Sequence, residues 1–172
     1  MKYFPSNFYE FGLIDDQDKT IERLKRRTLI SNNLFSQTTE KSFIGKVNEN
    51  RFKIISSDIG KGAFCSLNGK LNNKSGEVLV EINKPFRVLL SIILLFPVIA
   101  LIVQIIIKPE DFNLIFLIVC LGQILMIRFL FIEFAYKFLS KQILNKLSDV
   151  LDIEWIRKKE RKKENQPLIT KL

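Results

Sequence analysis

Two hydrophobic blocks interrupt an otherwise mixed chain, and their lengths fix the first elements. Between residues 88 and 107 the only polar side chains are Ser91 and Gln104, over 20 residues. At about 1.5 Å rise per residue such a helix spans the roughly 30 Å of a bilayer's hydrocarbon core. A core helix of a soluble protein keeps a polar stripe, and this block has none. The pattern predicts a transmembrane helix over residues 86–107. A second apolar run, residues 114–127, is followed by Arg128 and then by Phe129, Leu130, Phe131 and Ile132. An arginine near a helix end extends its stem and places its guanidinium among headgroups, so the second span is expected over residues 112–132. Lys108, Pro109, Glu110 and Asp111 form the intervening turn, which makes the two spans an antiparallel hairpin.

Outside these blocks the periods change. Residues 1–28 hold an aromatic segment, with Tyr3, Phe4, Phe8, Tyr9 and Phe11, followed by a short helix capped by Asp15 or Asp16. Residues 29–40 are polar and read as a loop. Over residues 41–83, SFIGKVNENRFKIISS alternates Phe43, Gly45 and Val47, then Phe52 and Ile54, around NEN; GAFCSLNGKL and EVLVEIN make a second pair. Such alternation around turn residues predicts four short antiparallel strands. After the hairpin, Leu139, Ile143, Leu147, Val150 or Leu151, and Trp155 recur at helical steps, predicting an amphipathic helix over residues 133–157 whose stripe covers one sheet face or pairs with a second copy as a short coiled coil, covering the sheet being the simpler choice. Residues 158–172 form a basic, fraying tail. The fold class expected is α+β: a small antiparallel sheet with flanking helices, plus a two-helix transmembrane hairpin.

Charge orients the hairpin. Lys84 and Arg87 flank the first span, Arg128, Lys137 and Lys141 the second, and the turn offers Lys108 alone. Positively charged flanks stay in the cytosol, so both termini are expected there. The first residues, MKYFPSNFYEFGLIDDQDK, lack the apolar core of a signal peptide.

Chemistry narrows the functions. The chain has no histidine, which removes the usual proton shuttle near neutral pH and the commonest metal ligand. Cys65 and Cys120 read as buried single thiols. GKGAF at residues 60–64 lacks the span of a nucleotide-binding loop and reads as a turn. Neither cofactor nor metal is expected, and no enzymatic activity.

Within the spans, Pro97 frees the carbonyl of Ile93, and the Gln123 amide is its expected partner, with Cys120 and Gly122 allowing close approach. Gln104 is the other intramembrane polar group. Arg87, Arg128, Glu133 and Lys137 read as interface anchors, Glu133 and Lys137 standing at ion-pair spacing. The run RKKERKKE carries much of the net charge of +9. Its Arg157, Lys158, Lys159, Arg161, Lys162 and Lys163 are expected to face anionic lipid. Nucleic acid is not expected, because no aromatic side chains interleave the run.

Phe43, Gly45, Lys46, Phe52 and Ile54, with Gly69 in the second strand pair, form a Y/F-x-G-K…F-x-I pattern ahead of two spans and a closing helix. In this order of parts the chain resembles uncharacterised small two-span bacterial membrane proteins with a cytosolic β-rich domain. The resemblance implies that architecture and a bacterial plasma (inner) membrane location, with no activity attached. The expectation is a membrane-anchored interaction or accessory protein that binds the lipid bilayer and a protein partner. The alternative is a homo-oligomer whose hairpins form a small conduit lined by Gln104 and Gln123.

Overall fold

A computed structural model describes residues 4–35, 37–107 and 114–159. The chain forms two units, one from Met1–Asn83 with Leu139–Leu172 and the other from Lys84–Phe138.

The first unit is a seven-stranded sheet with helices. Its strands are β1 (Ser6–Leu13), β2 (Thr28–Ile30), β3 (Phe43–Val47), β4 (Arg51–Ser56), β5 (Cys65–Asn72), β6 (Ser75–Ile82) and β7 (Ile153–Lys159). They lie in the order β2-β3-β4-β5-β6-β1-β7. Both hairpins expected from alternation are present: Val47 pairs with Phe52, and Asn72 pairs with Ser75 around Asn73, whose φ of 47° is one that asparagine tolerates. The sheet is larger than four strands and is mixed, because β2 runs parallel to β3 where a loop was expected from residue 29.

Two glycines of the sequence pattern are required by geometry. Gly45 has φ 151°, and a Cβ there would stand 2.1 Å from the Lys53 carbonyl oxygen. At Gly69, across from Phe52, a Cβ would enter the phenyl ring at 2.1 Å. The glycine lets the ring lie flat across the neighbouring strand.

Alternation sorts the sheet into two faces. Phe11, Phe43, Phe52, Ile54, Leu67, Val78 and Val80 share one face, each no more than 2% exposed. Helix α1 (Gln17–Arg27) buries Ile21 and Leu24. Asp16 holds its N-cap position without a side-chain cap bond, whereas Asp15 pairs with Arg23, which also reaches Asp152.

The C-terminal segment departs from expectation. Helix α4 (Glu133–Leu151) buries Ile143, Leu147 and Leu151 at four-residue steps as the stripe predicted, but it stops there instead of at residue 157. Asp152 adopts φ 49°, the left-handed conformation that ends a helix and that Asp accepts better than most residues. The chain then enters β7, and Trp155 covers Gly12 of β1 instead of extending the helical stripe. Arg157, Lys158 and Lys159 are consequently not a frayed tail: they pair with Glu10, Tyr9 and Phe8, and Lys159 Nζ lies 3.0 Å from Glu10 Oε2. Arg161, Lys162 and Lys163 lie outside the described residues.

The second unit holds α2 (Lys84–Ile107) and α3 (Leu114–Leu125), which pack together, then a π-helical stretch, Met126–Ile132, and the first residues of α4. Helix α2 begins two residues ahead of the expected 86. The turn from Lys108 to Asp111, and the start of the second span at 112, fall outside the described residues.

Candidate functional site

One chemically distinctive surface is the outside of the α2–α3 pair. Only 11% of the most apolar 18-residue stretch is buried in either long helical run, Lys84–Ile107 or Leu114–Leu151, and Phe96, Ile106, Leu114 and Ile115 are each at least 65% exposed. The buried seam consists of Leu94 and Pro97 on α2 and Cys120 on α3. A helix long enough to cross a bilayer and apolar over its free surface is stable in hydrocarbon, not in water.

The expected intramembrane contacts are placed unevenly on that seam. Gln104 is half-buried, two helical turns on from Pro97 and on the same side. Gln123 is exposed, and no hydrogen bond joins it to α2 among the described residues, so the expected lock between Gln123 and the carbonyl freed by Pro97 is not formed. Helical period is the reason: with Cys120 in the seam, three further residues turn 300°, leaving Gln123 about 60° off it. Gly122 lies nearer the opposite side, and a Cβ there would meet nothing within 4 Å, so it provides no close approach.

The anchors are arranged by the π-helical stretch. Arg128 Nη1 lies 3.7 Å from Glu133 Oε2, and its guanidinium stands 5.4 Å from the Phe129 ring centre. A π-helix brings residues five apart together, so Glu133 turns back to Arg128. Arg87 is half-buried in the first turn of α2, its carbonyl accepting a 2.9 Å bond from the Ser91 hydroxyl, and Lys137 is exposed.

A second candidate lies in the sheet unit, where β4 ends against α4. Lys146 Nζ donates to Asp58 Oδ1 at 2.9 Å and to Ser56 Oγ at 3.1 Å, while the Ser56 hydroxyl donates to Asp58 Oδ2 at 2.8 Å. The ammonium also stands 5.9 Å from the Phe43 ring centre. Ser56, Asp58, Lys61, Cys65, Gln142 and Ile143 edge an open recess of about 210 Å³, solvent at its mouth included. The hydrogen bond from Lys146 holds the Asp58 carboxyl below the usual carboxylate range. Burial pushes the Cys65 thiol up to about 12.

The polar groups of this cluster are engaged with one another, as in a clamp. Serine–lysine acyl transfer needs a free amine lone pair to take the serine proton. Here the amine is the donor of an ion pair, and Ser56 directs its proton to Asp58. A thiol pushed so high holds its proton at neutral pH and is a poor nucleophile. GKGAF forms a turn with Gly60 at φ 81°, and no group of three His, Cys, Asp or Glu suited to a metal occurs among the described residues. Sequence reading missed this clamp, because 88 residues separate Asp58 from Lys146 and each is ordinary in its own element.

No protein-family model matches the chain, and neither a curated protein nor a solved structure is significantly similar to it.

Proposed function

We propose that the protein is an integral membrane protein whose α2–α3 hairpin lies in a bilayer and whose sheet unit works in the cytosol as a non-enzymatic interaction or accessory domain. The observation that carries this is the exposed apolar surface of two helical runs, Lys84–Ile107 and Leu114–Leu151, each long enough to cross hydrocarbon. Pairing of β1 with β7 supports a hairpin, since it needs the chain before α2 and the chain after α3 on one side. The lysine and arginine excess of the flanks over the turn supports the cytosolic side.

The test is alkaline extraction of membranes expressing the full chain. Wild type stays with the lipid. Leu95→Arg with Ile99→Arg, one helical turn apart and both about half exposed, adds about 5–7 kcal/mol to insertion and moves the protein to the extract. If wild type is extracted as readily as the variant, the hairpin is not inserted. Co-purification in mild detergent then separates the functional readings: a stoichiometric second protein supports the accessory role. A homo-oligomer with nothing attached supports the conduit instead, which exposed Gln123 favours because an amide in hydrocarbon seeks a partner on another copy.

A further inference from the structure

The sheet face opposite Phe43 and Phe52 is unevenly charged. Register places Lys46 of β3 directly across from Lys53 of β4, and Arg51 of β4 directly across from Lys70 of β5. Opposed side chains in an antiparallel pair start about 5 Å apart, and like charges at that spacing repel. Two adjoining rows thus carry the same mismatch on the same face. The carboxylate nearest by register is Glu77, across from Lys70, while its neighbour Glu10 is taken by Lys159. Asn68, beside Lys53, donates its amide to Glu81 at 3.0 Å. Lys46, Lys53 and Lys70 form no ion pair among the described residues.

These cations do not guard an edge, since β3, β4 and β5 are interior strands of the sheet. All four are half-buried, as expected of long stems laid along a sheet with charged ends outward. A repulsive cluster retained on a stable interior surface is relieved when an anion sits on it.

We propose that the Lys46, Arg51, Lys53 and Lys70 face is a docking surface for the phosphates of anionic phospholipid headgroups. The proposal rests on the inserted hairpin, which is joined to β6 through Asn83 and keeps the sheet unit within reach of a bilayer surface. Nucleic acid offers similar phosphates, but the neighbours of the four on this face include Ile44, Ile55, Asn68 and Glu77, none of them an aromatic ring to stack a base.

The experiment is lysine footprinting of the full chain in lipid nanodiscs. An acetylating reagent is applied in phosphatidylcholine discs and in discs with about 30% phosphatidylglycerol, and modification is read by mass spectrometry. Lys46, Lys53 and Lys70 should react at least about threefold more slowly in the anionic discs, recovering in about 0.5 M salt, while exposed Lys19 and Lys25 of α1 serve as references. Lys46→Gln with Lys53→Gln should reduce the protection of Lys70 without changing the references. Equal rates in both discs, with the protein incorporated, overturn the docking surface and leave the hairpin reading intact. Failure to incorporate at all overturns the hairpin reading and the docking surface with it. Protection that appears only when a double-stranded oligonucleotide is added to neutral discs overturns the lipid assignment in favour of nucleic acid.

Discussion

The sheet unit and the hairpin are built from the same apolar residue types and dispose of them in opposite ways. In the sheet, Phe11, Phe43, Ile54 and Leu67 point to one side and are fully buried, while Glu10, Lys53 and Lys70 point to the other. In α2 and α3, among the described residues, only Leu94, Pro97 and Cys120 are buried, and Phe96 and Ile106 lie open. Fold stability in the first comes from removing apolar surface from water. The second leaves most of that surface uncovered, which in the proposed membrane location costs nothing, because the surroundings there would be apolar as well. Burial, not hydrophobicity, therefore distinguishes the two regions, and the solvent each region expects can be read from it.

Matched truncations sharpen that contrast most. Phe52→Ala should cost the sheet unit about 3–5 kcal/mol, because it empties the space over Gly69. Phe96→Ala, at a side chain 72% exposed, should leave the sheet unit's unfolding unchanged. Thermal unfolding of the detergent-solubilised chain checks both, and equal losses would erase the distinction.

A smaller effect comes from the Lys146 clamp. Both partners are partly exposed, so Lys146→Met should cost less than about 1 kcal/mol at neutral pH. Because Lys146 depresses the Asp58 carboxyl, its contribution is present above the ordinary aspartate value of 3.8 and disappears as pH falls through the lowered folded value. Wild type and variant should converge in that acid range, and a gap that persists below it would assign the effect to lost packing. The smallest change in stability, and the clearest readout, belongs to Cys65: with its thiol at about 12 and buried, a maleimide at pH 8 should modify it only after the sheet unfolds. Prompt labelling of the folded chain would refute that burial.

The hairpin and the central strands were legible because their signals are local. Residues 88–107 announce a long apolar helix by composition alone, and β3–β4 and β5–β6 are announced by a two-residue period broken at Asn48-Glu49-Asn50 and Asn73-Lys74. β1 was harder, since Phe8, Tyr9 and Phe11 do not alternate cleanly: β1 sits between β6 and β7, and both of its faces carry apolar side chains. β7 was hidden by an ambiguity of period. Trp155 lies four residues after Leu151 and so fits a helix, and only the left-handed Asp152 breaks that register. Contacts such as Glu10 with Lys159, or Asp58 with Lys146, join residues that no periodicity relates.

Because the sheet unit draws on residues both before and after the hairpin, its completion is tied to the order of synthesis. A ribosome releases β1 to β6 first, then two hydrophobic helices, and only afterwards the second half of α4 and β7. Until those last segments emerge, Phe43, Ser56 and Cys65 lack the helix that covers them, and β1 lacks its outer neighbour. A chain halted after one span would strand its closing segments across the bilayer from the sheet, leaving an open apolar face for quality-control proteases to find. With the hairpin inserted as proposed, correct insertion would be a condition for finishing the fold, and the stability of the sheet unit would report on whether the hairpin went in.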